Sequence, residues 1–212
     1  MKPKIEPLTA DGIRGMHREK AFAIRQRLDE FSRVRPAEYF YELLYCLLTP
    51  QSSAVNAGKA IGLLREHGFE TGDFDPEPFL RRKESYIRFH KTKASHLLSA
   101  KSGYASIREK LMSRQPGPEL RLWLVGNVMG MGWKEASHFL RNIGYRDLAI
   151  LDRHILKNLQ RLGVLRGLPV TLTPRRYKLL EKKFHTFALR IGIPMDELDL
   201  LFWSMETGEI LK

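Results

Sequence analysis

The chain has 212 residues, 43% of them hydrophobic, and carries 36 Lys and Arg against 24 Asp and Glu, a formal charge of +12. This apolar share supports a packed core and excludes an intrinsically disordered chain, and the length suits one compact domain or two small lobes. So basic a balance points to a polyanionic partner, either nucleic acid or an anionic membrane surface.

No apolar run is long enough to span a bilayer, and no signal-peptide pattern opens the chain. The expectation is a cytoplasmic protein that does not span a membrane and acts as a monomer. Cys46 is the single cysteine. A disulfide within the chain is therefore excluded, as is a four-cysteine zinc site or iron–sulfur cluster. Its place in "YELLYCLLTP" reads as a small buried apolar residue.

In chain order, residues 1–16 contain Pro and Gly without strong periodicity and read as partly irregular. "PAEYFYELLYCLL" puts Pro36 in a first helical turn, with Phe40, Leu43, Leu44, Leu47 and Leu48 on one stripe. "SSAVNAGKAIGLLREHG" repeats the helical pattern through Ala54, Ala57, Ile61 and Leu64, with Gly68 as its stop. "LREHGFETGDFDPEPF" is polar and turn-rich and reads as a surface loop. Residues 93–112 and 118–125 read as helices separated by "RQPGPE". "TPRRYKLLEKKFHTFALRIG" has a Thr173 cap, Pro174 in the first turn and Gly192 at the stop, and "PMDELDLLFWSMETG" gives one more short helix. No alternating run supports a strand, so the expected class is all-α.

The most informative stretch joins the helix "ELRLWLVGNV" through "MGMG" to the helix "WKEASHFLRNIG". Two helices around a turn with Gly130 and Gly132 make a helix-hairpin-helix. Glycines let the backbone approach a ligand, and a helix start presents free amide N–H groups that suit a phosphate oxygen. Lys134 then falls in the first turn of the second helix. A cation is disfavoured there by about 0.3–1 kcal/mol. Further on, "LAILDRHIL" places Asp152 between an apolar run and a helix, where an N-cap belongs.

"GMGWKEASHFLRNIGY", "AILDRHIL" and the terminal "DLLFWSMETGEILK" together resemble the helix-hairpin-helix–GPD superfamily of DNA glycosylases. Within it the chain is most similar to the compact, archaeal-type 8-oxoguanine DNA glycosylase/AP lyases. The resemblance runs from about residue 36 to the last residue, and the cysteine cluster of the endonuclease III branch is missing. It implies a two-lobed all-α fold: a helical barrel over residues 36–145 ending in the hairpin, residues 1–35 plus 146–212 as the second lobe, and the active cleft between them. It implies double-stranded DNA containing oxidised guanine as the partner, Lys134 as a Schiff-base nucleophile and Asp152 as the catalytic carboxylate.

The chemistry accounts for both residue types. A lyase must attack the sugar C1′ with a neutral amine, and a solvated lysine, with a pKa of about 10.4, is almost wholly protonated at neutral pH. The helix N-terminus supplies only part of the correction. Burial, beside Trp133 for example, or other nearby cations must supply the rest. Hydrogen bonds from backbone N–H groups favour a capping carboxylate's ionised form, which suits stabilising positive charge on the sugar better than abstracting a proton.

The resemblance also implies lesser roles. His154 approaches a phosphate near the flipped nucleotide, and Gln51, in "LLTPQSS", fills the gap left in the duplex. Trp203 stacks on the extruded base, and Lys212, at the end of the chain, makes polar contacts to it. Main-chain carbonyls of Gly126, Val128 and Met131 hold a structural monovalent cation; no other cofactor is required, and no iron–sulfur cluster is expected. Read from the residues alone, His154 also reads as a plain surface or partly buried histidine, Gln51 equally as a solvated loop residue, and Trp203 also as a core residue. The rival readings are a glycosylase for a different damaged base and a non-catalytic helix-hairpin-helix DNA-binding protein.

Overall fold

The computed structural model describes residues 8–210, and every regular element among them is helical. The all-α expectation holds. The chain forms two compact units: one is residues 34–143, and the other joins the chain up to Arg33 with the chain from Gly144 onward.

In the continuous unit a 3-10 turn, Pro36–Glu38, leads into α2 (Tyr39–Leu48); α1 (Ala10–Ser32) belongs to the other unit. Pro36 thus opens a tighter turn than the α-helical one expected. Every α2 residue after Tyr39 is buried, so α2 is the central helix of this unit. Around it lie α3 (Ala54–Glu66), the single turn α4 (Glu77–Leu80), α5 (His90–Ser102), α6 (Tyr104–Met112), α7 (Gly117–Asn127) and α8 (Trp133–Asn142). Helix α3 ends as read: Gly68 takes φ +67°, its N–H bonds to Arg65 O, and the Phe69 N–H reaches back to Leu64 O. Those two bonds are a Schellman motif, which satisfies carbonyls that the helix end leaves open.

Two expectations fail here. The single helix over 93–112 is two helices, broken at Gly103, and the first begins earlier, at His90. The 64–79 stretch is not wholly loop, because α3 runs to Glu66 and α4 starts at Glu77. Phe69 and Phe74 from this polar segment pack edge to face at 5.4 Å, and Phe69 is fully buried. The segment is thus anchored by aromatics that its charged residues obscure.

In the discontinuous unit, α1 (Ala10–Ser32) corrects the irregular reading of residues 1–16 from position 10 onward. The Thr9 side chain accepts from Gly12 N at 3.0 Å, a cap that stabilises by ~1 kcal/mol. Ile13, His17, Ile24, Leu28 and Phe31 form its buried stripe. It packs on α11 (Met195–Thr207), which in turn packs against α9 (Arg153–Arg161) and α10 (Pro174–Ile191). Helix α11 buries Asp196 and Glu197 against polar partners: His17 Nε2 lies 2.5 Å from Glu197 Oε2, Arg25 Nε donates to Glu197 Oε1 at 3.2 Å, and Asp147 N donates to Asp196. Buried charge without such partners would cost several kcal/mol.

Candidate functional site

The hairpin is formed by α7 and α8 with residues 128–132 between them. Gly130 has φ +81°, and a Cβ there would lie 2.3 Å from Nδ1 of His96 on α5. Backbone conformation and packing both require glycine at this position. Gly132 is the N-cap of α8 in extended conformation, and offers no side-chain cap. The first amides of α8 therefore lack intrahelical partners, the property that suits an anion.

Lys134 follows in the first turn. Its side chain is 26% exposed, and Nζ lies 3.0 Å from Oε1 of Glu135. From Ala136 to Asn142 every residue of α8 is buried, so Lys134 stands at the accessible tip of an otherwise enclosed helix. That enclosure is polar as well as apolar. Arg121 of α7 donates to Ser137 Oγ at 3.0 Å and lays its guanidinium 4.8 Å from the Trp133 ring centre, while Asn142 donates to Glu42 of α2. The Trp133 ring is thus taken up by a cation from α7.

Sequence reasoning missed Lys93. This α5 residue is 5% exposed, and its Nζ donates to Leu48 O at 2.6 Å, Pro50 O at 2.6 Å and Ser52 Oγ at 3.0 Å. Burial, then the charge of Lys134, bring its pKa down to about 8, with Glu135 opposing. Lys93 shares its helical stripe with Ala94, Leu97 and Ala100. A lysine inside an apolar stripe was the available signal.

The same lysine ties down the loop that carries Gln51, which is exposed with φ +54°. A neighbouring segment was also missed. Arg88 N donates to Ser52 Oγ at 3.0 Å, and Phe89, next in the chain, is 50% exposed with φ +59°. Left-handed backbone is uncommon for a bulky aromatic, and such strain clusters at functional sites.

In the other unit Asp152 caps α9, as its position in the sequence implied. Oδ1 accepts from both His154 N and Ile155 N at 2.8 Å. Oδ2 accepts from the indole Nε1 of Trp203 on α11 at 3.2 Å. Trp203 is half-buried, and the His154 ring meets it edge-on with centroids 5.9 Å apart. Glu206 completes the group, 3.7 Å from His154 Nδ1 and 3.0 Å from Lys157 Nζ. Burial alone would raise the Glu206 pKa, but the Lys157 hydrogen bond and charge, with His154 and Arg161, outweigh it and hold it below the usual range. Asp152, His154 and Trp203 are therefore one cluster. Lys212 lies outside the described residues.

For the expected cation, Gly126 lies in the last turn of α7, where carbonyls lack helical partners and the helix dipole is negative. The Val128 carbonyl accepts from Met131 N at 3.1 Å and retains a second lone pair. All-carbonyl donors of this kind fit a hard cation. Among the described residues no cluster of three His, Cys, Asp or Glu side chains offers a metal site.

Comparison with known proteins places this geometry. The family model described as 8-oxoguanine DNA glycosylase matches residues 24–193. An 8-oxoguanine DNA glycosylase/AP lyase of Fusobacterium nucleatum is 38% identical over 210 residues, covering 94% of this chain and 96% of the relative. One from Korarchaeum cryptofilum is 37% identical, covering 89% and 90%. The crystal structure of the Thermotoga maritima 8-oxoguanine DNA glycosylase superposes with a TM-score of 0.84 at 28% identity over 96% of this chain and 98% of that one. The Methanocaldococcus jannaschii 8-oxoguanine glycosylase/lyase, solved with a 15mer DNA containing 8-oxoguanine, gives 0.82 at 31% identity over 94% and 99%. By family model, by identity and by coverage, this chain belongs to the helix-hairpin-helix 8-oxoguanine DNA glycosylase family.

Proposed function

We propose that this protein is a bifunctional DNA repair enzyme that excises 8-oxoguanine from double-stranded DNA and then cleaves the strand. The Lys134 amine attacks C1′ of the damaged nucleotide. The C1′–N9 bond breaks, and the base departs with the electron pair and takes up a proton. The C1′–O4′ bond then opens, O4′ takes up the proton that the amine sheds, and an iminium joins Lys134 to the opened sugar. Loss of a C2′ proton then expels the 3′ phosphate by β-elimination. The Asp152 carboxylate stabilises the positive charge that develops on the sugar.

Around this chemistry, the α8 amides after Gly130 and Gly132 and the His154 ring contact phosphates. Gln51 and the exposed Phe89 beside it fill the gap left by the flipped nucleotide. Trp203 and Lys212 contact the base. The carbonyls of Gly126, Val128 and Met131 hold a monovalent cation that stiffens the hairpin. The formal +12 charge makes DNA binding strongly salt-dependent.

One observation carries this reading: Lys134 stands partly exposed at the tip of a buried helix, directly after the glycine hairpin. A non-catalytic DNA-binding module needs the glycines and the basic surface but no such lysine. The test is borohydride trapping on duplexes carrying 8-oxoguanine, an oxidised pyrimidine, uracil or an abasic site. Wild type should trap on 8-oxoguanine and abasic DNA, and Lys134→Gln on neither. Trapping that survives in the variant moves the nucleophile elsewhere, and preference for another base moves the substrate.

A further inference from the structure

Gln51 (φ +54°) lies between α2 and α3, and Phe89 (φ +59°) is the N-cap of α5. Both have left-handed backbone without being glycine, and the two segments meet. Ser52 follows the first and Arg88 precedes the second, and the Arg88 N–H donates to Ser52 Oγ at 3.0 Å. One hydroxyl thus joins the immediate neighbours of both residues.

The turn itself shows the strain at Gln51. Ser52 N donates to Thr49 O at 3.1 Å, so Pro50 and Gln51 are the central residues of a four-residue turn. A positive φ at the second central position is what a type II turn requires, and glycine or asparagine is its usual occupant. A glutamine Cβ is disfavoured there, and a bulky aromatic such as Phe89 is still less suited to such backbone. Gln51 is exposed and Phe89 half-exposed, so core packing is not what holds them. Hydrogen bonds do. Lys93, one turn beyond Phe89 on α5, reaches back with Nζ to Leu48 O, Pro50 O and the same Ser52 Oγ, while its backbone N–H donates to Phe89 O at 3.0 Å. Asn56 of α3 adds a parallel link, donating through Nδ2 to Tyr86 O at 3.1 Å. Ser52 Oγ accepts twice, which uses both of its lone pairs.

We propose that Ser52 is a positioning residue for base extrusion: its hydroxyl fastens the Gln51 turn to the Phe89 turn, so that both side chains enter the duplex as one rigid wedge. This rests on Gln51 and Phe89 filling the gap left by the flipped nucleotide. Extrusion breaks stacking and pairing, and the loss is offset only as the wedge occupies the hole. A wedge already in its strained form when DNA arrives adds no ordering cost. Two unfastened turns would first have to enter the left-handed region together. Without the Ser52 bond the competent population falls, and extrusion slows in the same proportion.

The experiment is single-turnover kinetics, with protein in excess, on one duplex carrying 8-oxoguanine opposite cytosine and one carrying a preformed abasic site. Ser52→Ala should excise 8-oxoguanine ~tenfold more slowly than wild type, the factor set by one hydrogen bond at the upper end of its net range. Ser52→Thr keeps the hydroxyl and should restore the wild-type rate. Strand cleavage at the abasic site should be unchanged in both variants, since no base has to leave the stack. Amide hydrogen exchange reads the same bond without DNA. The Arg88 N–H should exchange faster in Ser52→Ala, while the amides of α2 keep their protection.

A double-mutant cycle decides whether Ser52 acts through the wedge. In a Gln51→Ala/Phe89→Ala background there is no wedge to position, so adding Ser52→Ala should slow excision no further. A tenfold loss that persists in that background would mean Ser52 acts by another route, and would overturn the proposal. Equal loss on the abasic duplex would reduce Ser52 to a support of the fold and sink it as well. Failure of the gap-filling reading looks different. The Gln51→Ala/Phe89→Ala protein would then excise 8-oxoguanine at the wild-type rate, and the proposal would fall with that reading. If only the role of Ser52 is wrong, the wedge variant is slow and Ser52→Ala keeps the wild-type rate.

Discussion

Trp203 donates its indole N–H to Oδ2 of Asp152 at 3.2 Å, while Oδ1 of the same carboxylate holds the second and third amides of α9, those of His154 and Ile155. Both oxygens are therefore fixed, and the carboxylate plane is set by two helices at once. A tryptophan expected only to stack on a base also orients the acid. Trp203→Phe keeps an aromatic face and removes only the donor. A hydrogen bond to a charged group contributes about 1.5–3 kcal/mol, so excision of 8-oxoguanine should slow by roughly one to two decades if the bond persists in the transition state. Cleavage at a preformed abasic site should change far less, because no glycosidic bond remains to be broken. Rates of both reactions measured side by side decide it; equal losses would make Trp203 a scaffold residue only.

Asp152→Asn tests the charge itself. Asparagine still caps α9 through its side-chain oxygen, so stability should fall by less than ~1 kcal/mol. Its amide group cannot accept from the Trp203 indole if its oxygen stays on the α9 amides, and it offers no negative charge to the developing cation. Excision should fall by ~100-fold or more, on the scale of losing one electrostatic stabiliser, with affinity for damaged duplex nearly unchanged. Wild-type excision in this variant would leave Asp152 as a cap and nothing else.

The sequence made local features legible and left tertiary ones dark. Gly68 and Gly192 were readable as stops because a left-handed residue after a periodic run has few alternatives, and both have positive φ. The hairpin was readable for the same reason. The break at Gly103 was not, since an isolated glycine inside a helical pattern is often tolerated. Helix α1 was obscured at its start by Gly12, Gly15 and a buried histidine, His17, standing where an apolar residue would mark the stripe. Lys93 was hidden by its own charge, which reads as surface unless the carbonyls of Leu48 and Pro50 are known to meet it. The Trp203–Asp152 bond joins residues 51 apart, and no spacing rule reaches across α10 to find it.

The hairpin gives the last prediction. Gly130 combines a positive φ with the ring of His96 against its α-carbon, and these are separable costs. Left-handed backbone costs a residue with a Cβ about 1–2 kcal/mol. The steric cost comes on top, since the new methyl would lie 2.3 Å from Nδ1 and 2.7 Å from Cε1 of the ring, so one of them must move. Gly130→Ala should therefore destabilise by ~2 kcal/mol or more, lowering the Tm by about 4–8 °C for a chain of this size. In a His96→Ala background the ring is gone and only the backbone cost remains, so the same substitution should cost about 1–2 kcal/mol. The difference between the two backgrounds measures the ring contact. The hairpin amides that α8 offers to phosphate would be displaced with the loop, so Gly130→Ala should also weaken DNA binding and flatten its salt dependence. An identical cost in both backgrounds would show that His96 swings aside freely, and that the glycine is there for its φ alone.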